Sequence, residues 1–439
     1  ATTTPNLTYL LGLATKYGVA RGNVRVLKMT VEIGAYDGEI LMASSNVHNF
    51  TVEVEMNLSV KVAPFVDVSP TQFNTTTLNV SLGGGGTVRL RIDGALPAYL
   101  KASIRPDVVN IPRNPGFNTT KLNLTLDATM LGARKLPLEE RIRIVAEAGL
   151  NRSTVELTVR LLPCEWLVML YLCADTDPDL QWGMLYNVLE MCNVSEAFGT
   201  PKVGMVVLAD FRAAWNLAVS GWGTMGISGV AENDAMVFQV VYGNLSRIGG
   251  AWGPTNMSAK PILERFIDES ARRFPAKRTQ LILNDHGGGI TGIDWDFHQG
   301  DKQMKIKPLA EALGARKFDL LSFDACLMAQ LEVLYELRNN ADYFTCSERT
   351  VPGYGYPYDK MLADLCQKPN ITALEYAKLI VGHFARRYDG SLGSKEKKSF
   401  TLSAIDSSKL ADLVRAVDGL ADALVANYSR PTAVMNATM

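Results

Sequence analysis

FDLLSFDACLM, residues 318–328, decides how the chain is read. Phe318, Leu320, Leu321 and Phe323 form a short apolar run of strand type, and Asp324-Ala325-Cys326 breaks it. Leu327, Leu331, Leu334 and Leu337 then recur at helical spacing, which predicts a helix starting at Leu327. About forty residues upstream the same construction carries a histidine. Gln280-Leu281-Ile282-Leu283 reads as a strand, Asn284-Asp285-His286 ends it, and Gly287-Gly288-Gly289 lets backbone approach closely. Side groups beyond the carboxyl ends of strands are where open α/β sheets build their sites. Two neighbouring strands would present His286 and Cys326 together, an acid/base partner beside a nucleophile. Each residue alone has a plainer reading. A cysteine after a strand is commonly a small buried hydrophobe, and a histidine beside glycines a turn residue. The pairing of strand ends, in a chain with four histidines, favours the chemical reading.

LNDHGGG (283–289), SFDACLMAQLEVLYEL (322–337) and SERTVPGYGYPY (347–358), in that order, resemble the clostripain-like cysteine peptidases, a branch of the caspase-like clan. LVMLYLCADTDPDLQ (167–181) is similar to that family's first strand and helix. The resemblance covers about residues 166–424 and leaves the first 160 outside it. It implies a caspase-like α/β sandwich and a secreted endopeptidase with protein or peptide substrates. Cys326 is then the nucleophile, His286 the acid/base, and the N–H groups of Gly287 and Cys326 the oxyanion donors. Asp324, two residues before the nucleophile, stands where the family prefers Arg or Lys at the residue preceding the cut. Its plainer reading is a cap for the following helix. Ser347 and Glu348 fall where the clan builds the pocket wall. Self-cleavage in the family points to TGIDWDFHQGDKQMKIK (291–307), read as an exposed, mobile loop in which Lys302 and Lys305 are the candidate cleavage points. The chemistry requires no cofactor. Calcium stays open and unassigned, because some members respond to it and Asp175, Asp177 and Asp179 lack the glycine and distal glutamate of an EF-hand. Members usually continue with a further helix–strand segment past residue 426, so the peptidase domain is expected to lack its C-terminal end.

Residues 1–23 are a polar segment. From 24 to 162 the period is two: VRVLKMTVEIGAY, NFTVEVEMNLSVKV, TLNVSL, TVRLRI, KLNLTL, RIRIVAEA and STVELTVRL, separated by turn clusters. This predicts an immunoglobulin-like β-sandwich serving as an accessory domain, for surface attachment or oligomerisation. The glycine run 83–86 lacks the lysine and helix of a phosphate cradle. Leu161-Leu162-Pro163 is the linker, and 163–439 is the peptidase domain, a mostly parallel sheet with helices on both faces. An antiparallel pair, 214–222 with 235–241, is expected at its edge.

A net charge of −1 over 439 residues, without a basic stripe, excludes nucleic acid as a partner. No apolar run is long enough to span a bilayer. The ATTTPN start reads as a processed terminus. Asn-x-Ser/Thr sequons at Asn6, Asn49, Asn57, Asn74, Asn79, Asn118, Asn123, Asn151, Asn193, Asn244, Asn256, Asn370, Asn427 and Asn436 point to a glycosylated, extracellular or cell-surface protein. With Cys326 as nucleophile the other five of six cysteines are an odd set, and Cys164–Cys192 is the one disulfide put forward. A hydrolase of another class would carry a motif that is missing here, such as G-x-S-x-G or H-E-x-x-H. An inactive glycosylated scaffold that keeps the fold is the remaining alternative.

Overall fold

A computed structural model describes residues 58–71, 73–83, 85–112, 117–128, 136–176, 178–200, 202–211, 234–297, 300, 302–389 and 400–426. The expected segment 1–23, the strands before residue 58 and the proposed strand 214–222 lie outside these. The described residues form two compact units divided at Leu162/Pro163, with residues 69–71 and 136 grouped in the second.

The first unit is all strand. One sheet holds β1 (Leu58–Lys61), β3 (Asn74–Gly83), β5 (Lys101–Arg105) and β7 (Phe117–Asp127), in the order β1-β3-β7-β5. The other holds β2 (Phe65–Val68), β4 (Gly86–Asp93), β6 (Val108–Ile111), β8 (Leu138–Ala148) and β9 (Asn151–Leu161), in the order β2-β9-β8-β4-β6. The period-two pattern explains the burial. Leu78, Val80 and Leu82 of β3, Leu122, Leu124 and Leu126 of β7, and Leu157, Val159 and Leu161 of β9 are buried, while the residues between them face out. Every pairing is antiparallel except that of β2 with β9.

The second unit is built on β10 (Cys164–Ala174), whose residues are apolar at both parities and buried on both faces. Its sheet adds β11 (Val203–Phe211), β12 (Met236–Val241), β13 (Asn244–Arg247), β14 (Ala276–Asn284), β17 (Phe318–Asp324), β18 (Ala341–Cys346) and β19 (Ser403–Asp406). The order is β13-β12-β11-β10-β14-β17-β18-β19, parallel from β11 to β18 with antiparallel edges. Trp166, Val168, Leu170 and Leu172 face helices Pro178–Phe198, Tyr358–Gln367 and Ala373–Tyr388. Leu167, Met169, Tyr171 and Cys173 face helices Lys260–Arg273, Ile306–Leu313 and Leu331–Glu336. This is the expected α/β sandwich.

Four local expectations change. The chain after Cys326 does not enter a helix. Leu327 has φ of 64°, Leu327 N–H donates to Arg349 O and Ala329 N–H to Ser347 O, and the helix begins only at Leu331. The leucine periodicity was real, but these ladder bonds claim its first turn. Strand Met236–Val241 has β11 on one side and β13 on the other, and its expected partner, 214–222, lies outside the described residues. Residues 291–307 are not an open loop: β15 (Ile293–Asp296) and β16 (Lys302–Met304) form an antiparallel ribbon. Cys164 and Cys192 are separate buried thiols, each pushed up to about 12 by burial. Among the described residues no helix is long and apolar enough to cross a membrane.

Candidate active site

β14 and β17 are parallel neighbours with Asn284 opposite Asp324, so His286 and Cys326 each stand two residues beyond the same register point. Both line a cleft of about 350 Å³, together with Leu180, Asp285, Asp324, the segment from Thr350 to Gly353, and Gly355. The backbones meet closely there. A Cβ on Gly287 would lie 2.2 Å from the carbonyl oxygen of Cys326 and 2.9 Å from its nitrogen, so only glycine lets the two strand ends approach this far.

The Cys326 thiol is half-buried. Its sulfur accepts from Val351 N–H at 3.2 Å and lies 3.9 Å from Val351 O. Burial raises its pKa, the Val351 N–H pulls the other way, and the charge of Asp324 adds to the rise. The resting group is therefore a thiol at neutral pH, and reaction requires its proton to leave as the sulfur attacks. His286 is oriented by edge-on contacts with the rings of Trp295 (6.3 Å between centroids) and Phe297 (6.4 Å). Those aromatics belong to the 293–304 ribbon, which the sequence reading took for a mobile loop. Asp285 is buried and accepts from Trp295 N–H, fastening the same ribbon to the end of the histidine strand.

Asp324 sits 4% exposed at the cleft. Its Oδ2 accepts from Tyr356 N–H (3.0 Å), Tyr358 O–H (3.1 Å) and Asn284 Nδ2 (3.1 Å). Its Oδ1 is buried and has no hydrogen-bond partner among the described residues. Burial lifts its pKa to about 7 against the pull of those donors. The helix-cap reading fails, because the next helix starts at Leu331 with Gln330 as its cap residue. A buried carboxylate with one bare oxygen is a costly arrangement unless something cationic arrives.

Ser347 and Glu348 do not line the cleft. Ser347 is buried, bonded to Thr401 Oγ1 and to Arg349 N–H. Glu348 accepts from Ser403 O–H near the sheet edge. The wall is formed by Thr350, Val351, Pro352, Gly353 and Gly355 instead, two or more residues past Glu348. Lys302 lies exposed in β16, and Lys305 Nζ donates to Thr291 O (2.9 Å) and Gln303 Oε1 (2.6 Å). Neither lysine lines the cleft.

Of the sequon asparagines, Asn123, Asn193, Asn244 and Asn370 are exposed, while Asn74, Asn79, Asn151 and Asn256 are half-buried. Asn256 Oδ1 accepts from Ser258 N–H and O–H. Asn6, Asn49, Asn57, Asn427, Asn436 and the side chain of Asn118 lie outside the described residues.

Carboxyl groups also gather near the site. Burial pushes Asp294 up to about 8 and Asp210 and Asp285 well above the usual carboxylate range. Among the described residues no group of three or more His, Cys, Asp or Glu is arranged to hold a metal. Asp177 and the side chain of Asp179 lie outside those residues.

A parallel sheet that presents a histidine and a cysteine at one end defines a class of thiol-bearing α/β proteins, and comparison with known proteins narrows it. The sequence model of the clostripain family matches residues 171–439, and the chain belongs to that family. Clostripain of Hathewaya histolytica is 25% identical over 303 residues, 58% of this chain and 56% of that protein. The chain thus spans little more than half the length of that relative. Among solved structures, a secreted C11 cysteine protease from Bacteroides thetaiotaomicron, in complex with an irreversible peptide inhibitor, is 22% identical with a TM-score of 0.46. It covers 58% of this chain and 69% of that one. An inactive zymogen C11 protease from Parabacteroides distasonis is 22% identical with a TM-score of 0.43, covering 57% and 64%.

Proposed function

We propose that the protein is a secreted cysteine endopeptidase that cleaves after Lys or Arg. The observation that carries this is the cleft lined by His286, Cys326 and Asp324, whose Oδ1 is buried without a hydrogen-bond partner among the described residues. Cys326 attacks the scissile carbonyl, and the N–H groups of Gly287 and Cys326 receive the developing oxyanion. His286 takes the thiol proton as the sulfur attacks, delivers it to the departing amine, and then takes a proton from the water that releases the acyl group. The cationic side chain before the cut enters beside Asp324 and gives its Oδ1 the partner it lacks. Leaving a paired charge uncompensated in such a place costs several kcal/mol, so selectivity follows from the pocket itself. An inactive scaffold would have no use for a nucleophile and an acid/base held in register.

Maturation by self-cleavage after Lys302 belongs to the same reading. Lys302 is exposed at the tip side of the ribbon whose Trp295 and Phe297 touch His286, so a cut there would alter the setting of the histidine. Comparing the wild-type and Cys326→Ala chains on denaturing gels shows whether the cut depends on the nucleophile. Sequon density and the secreted relative support an extracellular location, and the all-strand unit serves as an accessory module for attachment or association.

A panel of fluorogenic peptides differing only at the residue before the cut tests the assignment. Lys and Arg substrates are expected to exceed Ala, Leu and Asp substrates by roughly 100-fold or more in kcat/KM. A flat panel, or a preference for Asp, contradicts the role of Asp324.

A further inference from the structure

The bonds that hold Asp324 come largely from one irregular stretch, residues 352–358. Tyr356 N–H and Tyr358 O–H both end on its Oδ2. Pro352 and Pro357 stiffen its two ends, while Gly353 and Gly355 leave its middle free to move. The Tyr356 hydroxyl reaches Phe323 O and Thr345 O of the sheet, and further bonds come from two helices that are far apart in sequence.

Helix Pro178–Phe198 approaches first. A Cβ on Gly183 would fall 1.8 Å from Gly353 O, so the missing side chain is what lets this carbonyl lie against the helix. Asn187 Nδ2 donates to Tyr354 O at 2.8 Å, and its Oδ1 accepts from Asn284 Nδ2 at 3.2 Å. Glu190 Oε2 accepts from Tyr358 N–H at 3.2 Å. Helix Ala373–Tyr388 completes the hold. Tyr388 O–H donates to Gly355 O at 2.6 Å, and Arg387 Nη1 donates to Tyr356 O at 3.0 Å. The consecutive carbonyls of Tyr354, Gly355 and Tyr356 are thus taken by Asn187, Tyr388 and Arg387.

Among the described residues one ion pair ties the two helices to each other, and the Arg387 guanidinium also lies 5.6 Å from the centre of the Tyr186 ring. Arg387 Nη1 lies 3.0 Å from Glu190 Oε1 and 3.1 Å from Oε2, and Glu190 is 5% exposed. The one nitrogen Nη1, with its two N–H groups, serves both the carboxylate and the Tyr356 carbonyl. Losing either partner leaves a largely buried charge uncompensated, directly behind the pocket wall.

We propose that Arg387 and Glu190, with Asn187 and Tyr388, are positioning residues for substrate specificity: they clamp residues 353–358 so that Asp324 is presented in one orientation. None of them touches the thiol or the histidine in any contact described above. The inference rests on the reading of this cleft as the pocket for the residue before the cut.

The test compares wild type with Arg387→Gln, Arg387→Lys, Glu190→Gln and Tyr388→Phe. The last removes one hydroxyl and serves if a charge variant does not fold. Three quantities are read: hydrogen exchange at the Tyr356 and Tyr358 amides, the substrate profile at the residue before the cut, and the rate of Cys326 alkylation by iodoacetamide. Arg387→Gln is expected to speed exchange at those amides about 10-fold or more, with β14 unchanged. It should lower kcat/KM for the preferred substrates by roughly 30-fold, mainly through KM, within the range a small misplacement costs. Alkylation should stay within about twofold, since the thiol is held by Val351 instead. Arg387→Lys should recover part of the loss, and Tyr388→Phe should show a smaller shift in the same direction. Unchanged exchange, or equal losses on every substrate together with slowed alkylation, overturns the proposal. A wild type without preference for Lys or Arg refutes the basic-pocket reading alone. The clamp then stands if exchange rises and whatever profile exists broadens, and falls if neither moves.

Discussion

Cys326→Ala and His286→Ala each reduce kcat/KM on a Lys or Arg peptide by about four orders of magnitude or more, because nucleophile and proton donor act as a unit. The structure gives the reason for equal losses. The thiol has its pKa raised by burial and is bonded to Val351, so it is not a stored thiolate. Removing His286 leaves the amine without an acid, and removing Cys326 leaves the histidine without an acyl group to act on. Both side chains are partly exposed at strand ends, so neither change opens a core cavity, and melting temperatures should shift little. Initial rates beside thermal unfolding curves check this. Activity within tenfold of wild type in either variant would contradict the dyad.

Asp324→Asn produces the second large effect. Loss of the buried carboxylate costs roughly 100-fold or more on Lys and Arg substrates, from the several kcal/mol of such a pair. Neutral substrates change little, and so does alkylation of Cys326. The pH dependence follows from the carboxyl held near 7. Only its ionised form attracts a cation, so wild-type kcat/KM for an Arg substrate should rise through about pH 7, and the Asn variant should lose that rise. Stability moves the opposite way. The folded pKa of about 7 lies above the unfolded 3.8, so the native state keeps a proton that the unfolded chain releases. Stability from this group is full below about pH 4 and declines as pH climbs to about 7. Asp324→Asn should flatten that decline, as denaturant titrations at several pH values would show.

The strands that carry the dyad were legible because a doubly covered parallel sheet needs continuous apolar runs, and Leu281-Ile282-Leu283 and Leu320-Leu321 are such runs. Their pairing was legible because both end in polar residues at the same point. The start of the helix after Cys326 was not, since Leu327 is apolar at the right interval yet its N–H is claimed by Arg349 O. The orienting role of Trp295 and Phe297 was hidden by polar neighbours that made 291–307 look like loop. Thr350 and Val351 carry no chemical signal of their own, and the sulfur contact comes from a backbone N–H that any residue would supply. Glu190 and Arg387 are 197 positions apart, and no spacing rule joins a glutamate on one helix to an arginine on another. Two aromatic-glycine repeats, Gly353-Tyr354 and Gly355-Tyr356, were the available hint that this wall needs external support.

A peptide with Lys before a thiol-reactive warhead, followed by mass spectrometry of the labelled protein, tests whether His286, Cys326 and Asp324 form one peptide-cleaving site. The expected result is a single covalent adduct, located on Cys326, formed markedly faster than with an Asp analogue, slowed in Asp324→Asn and absent in Cys326→Ala. Labelling spread over the other cysteines, or equal rates for the Lys and Asp probes, would contradict it.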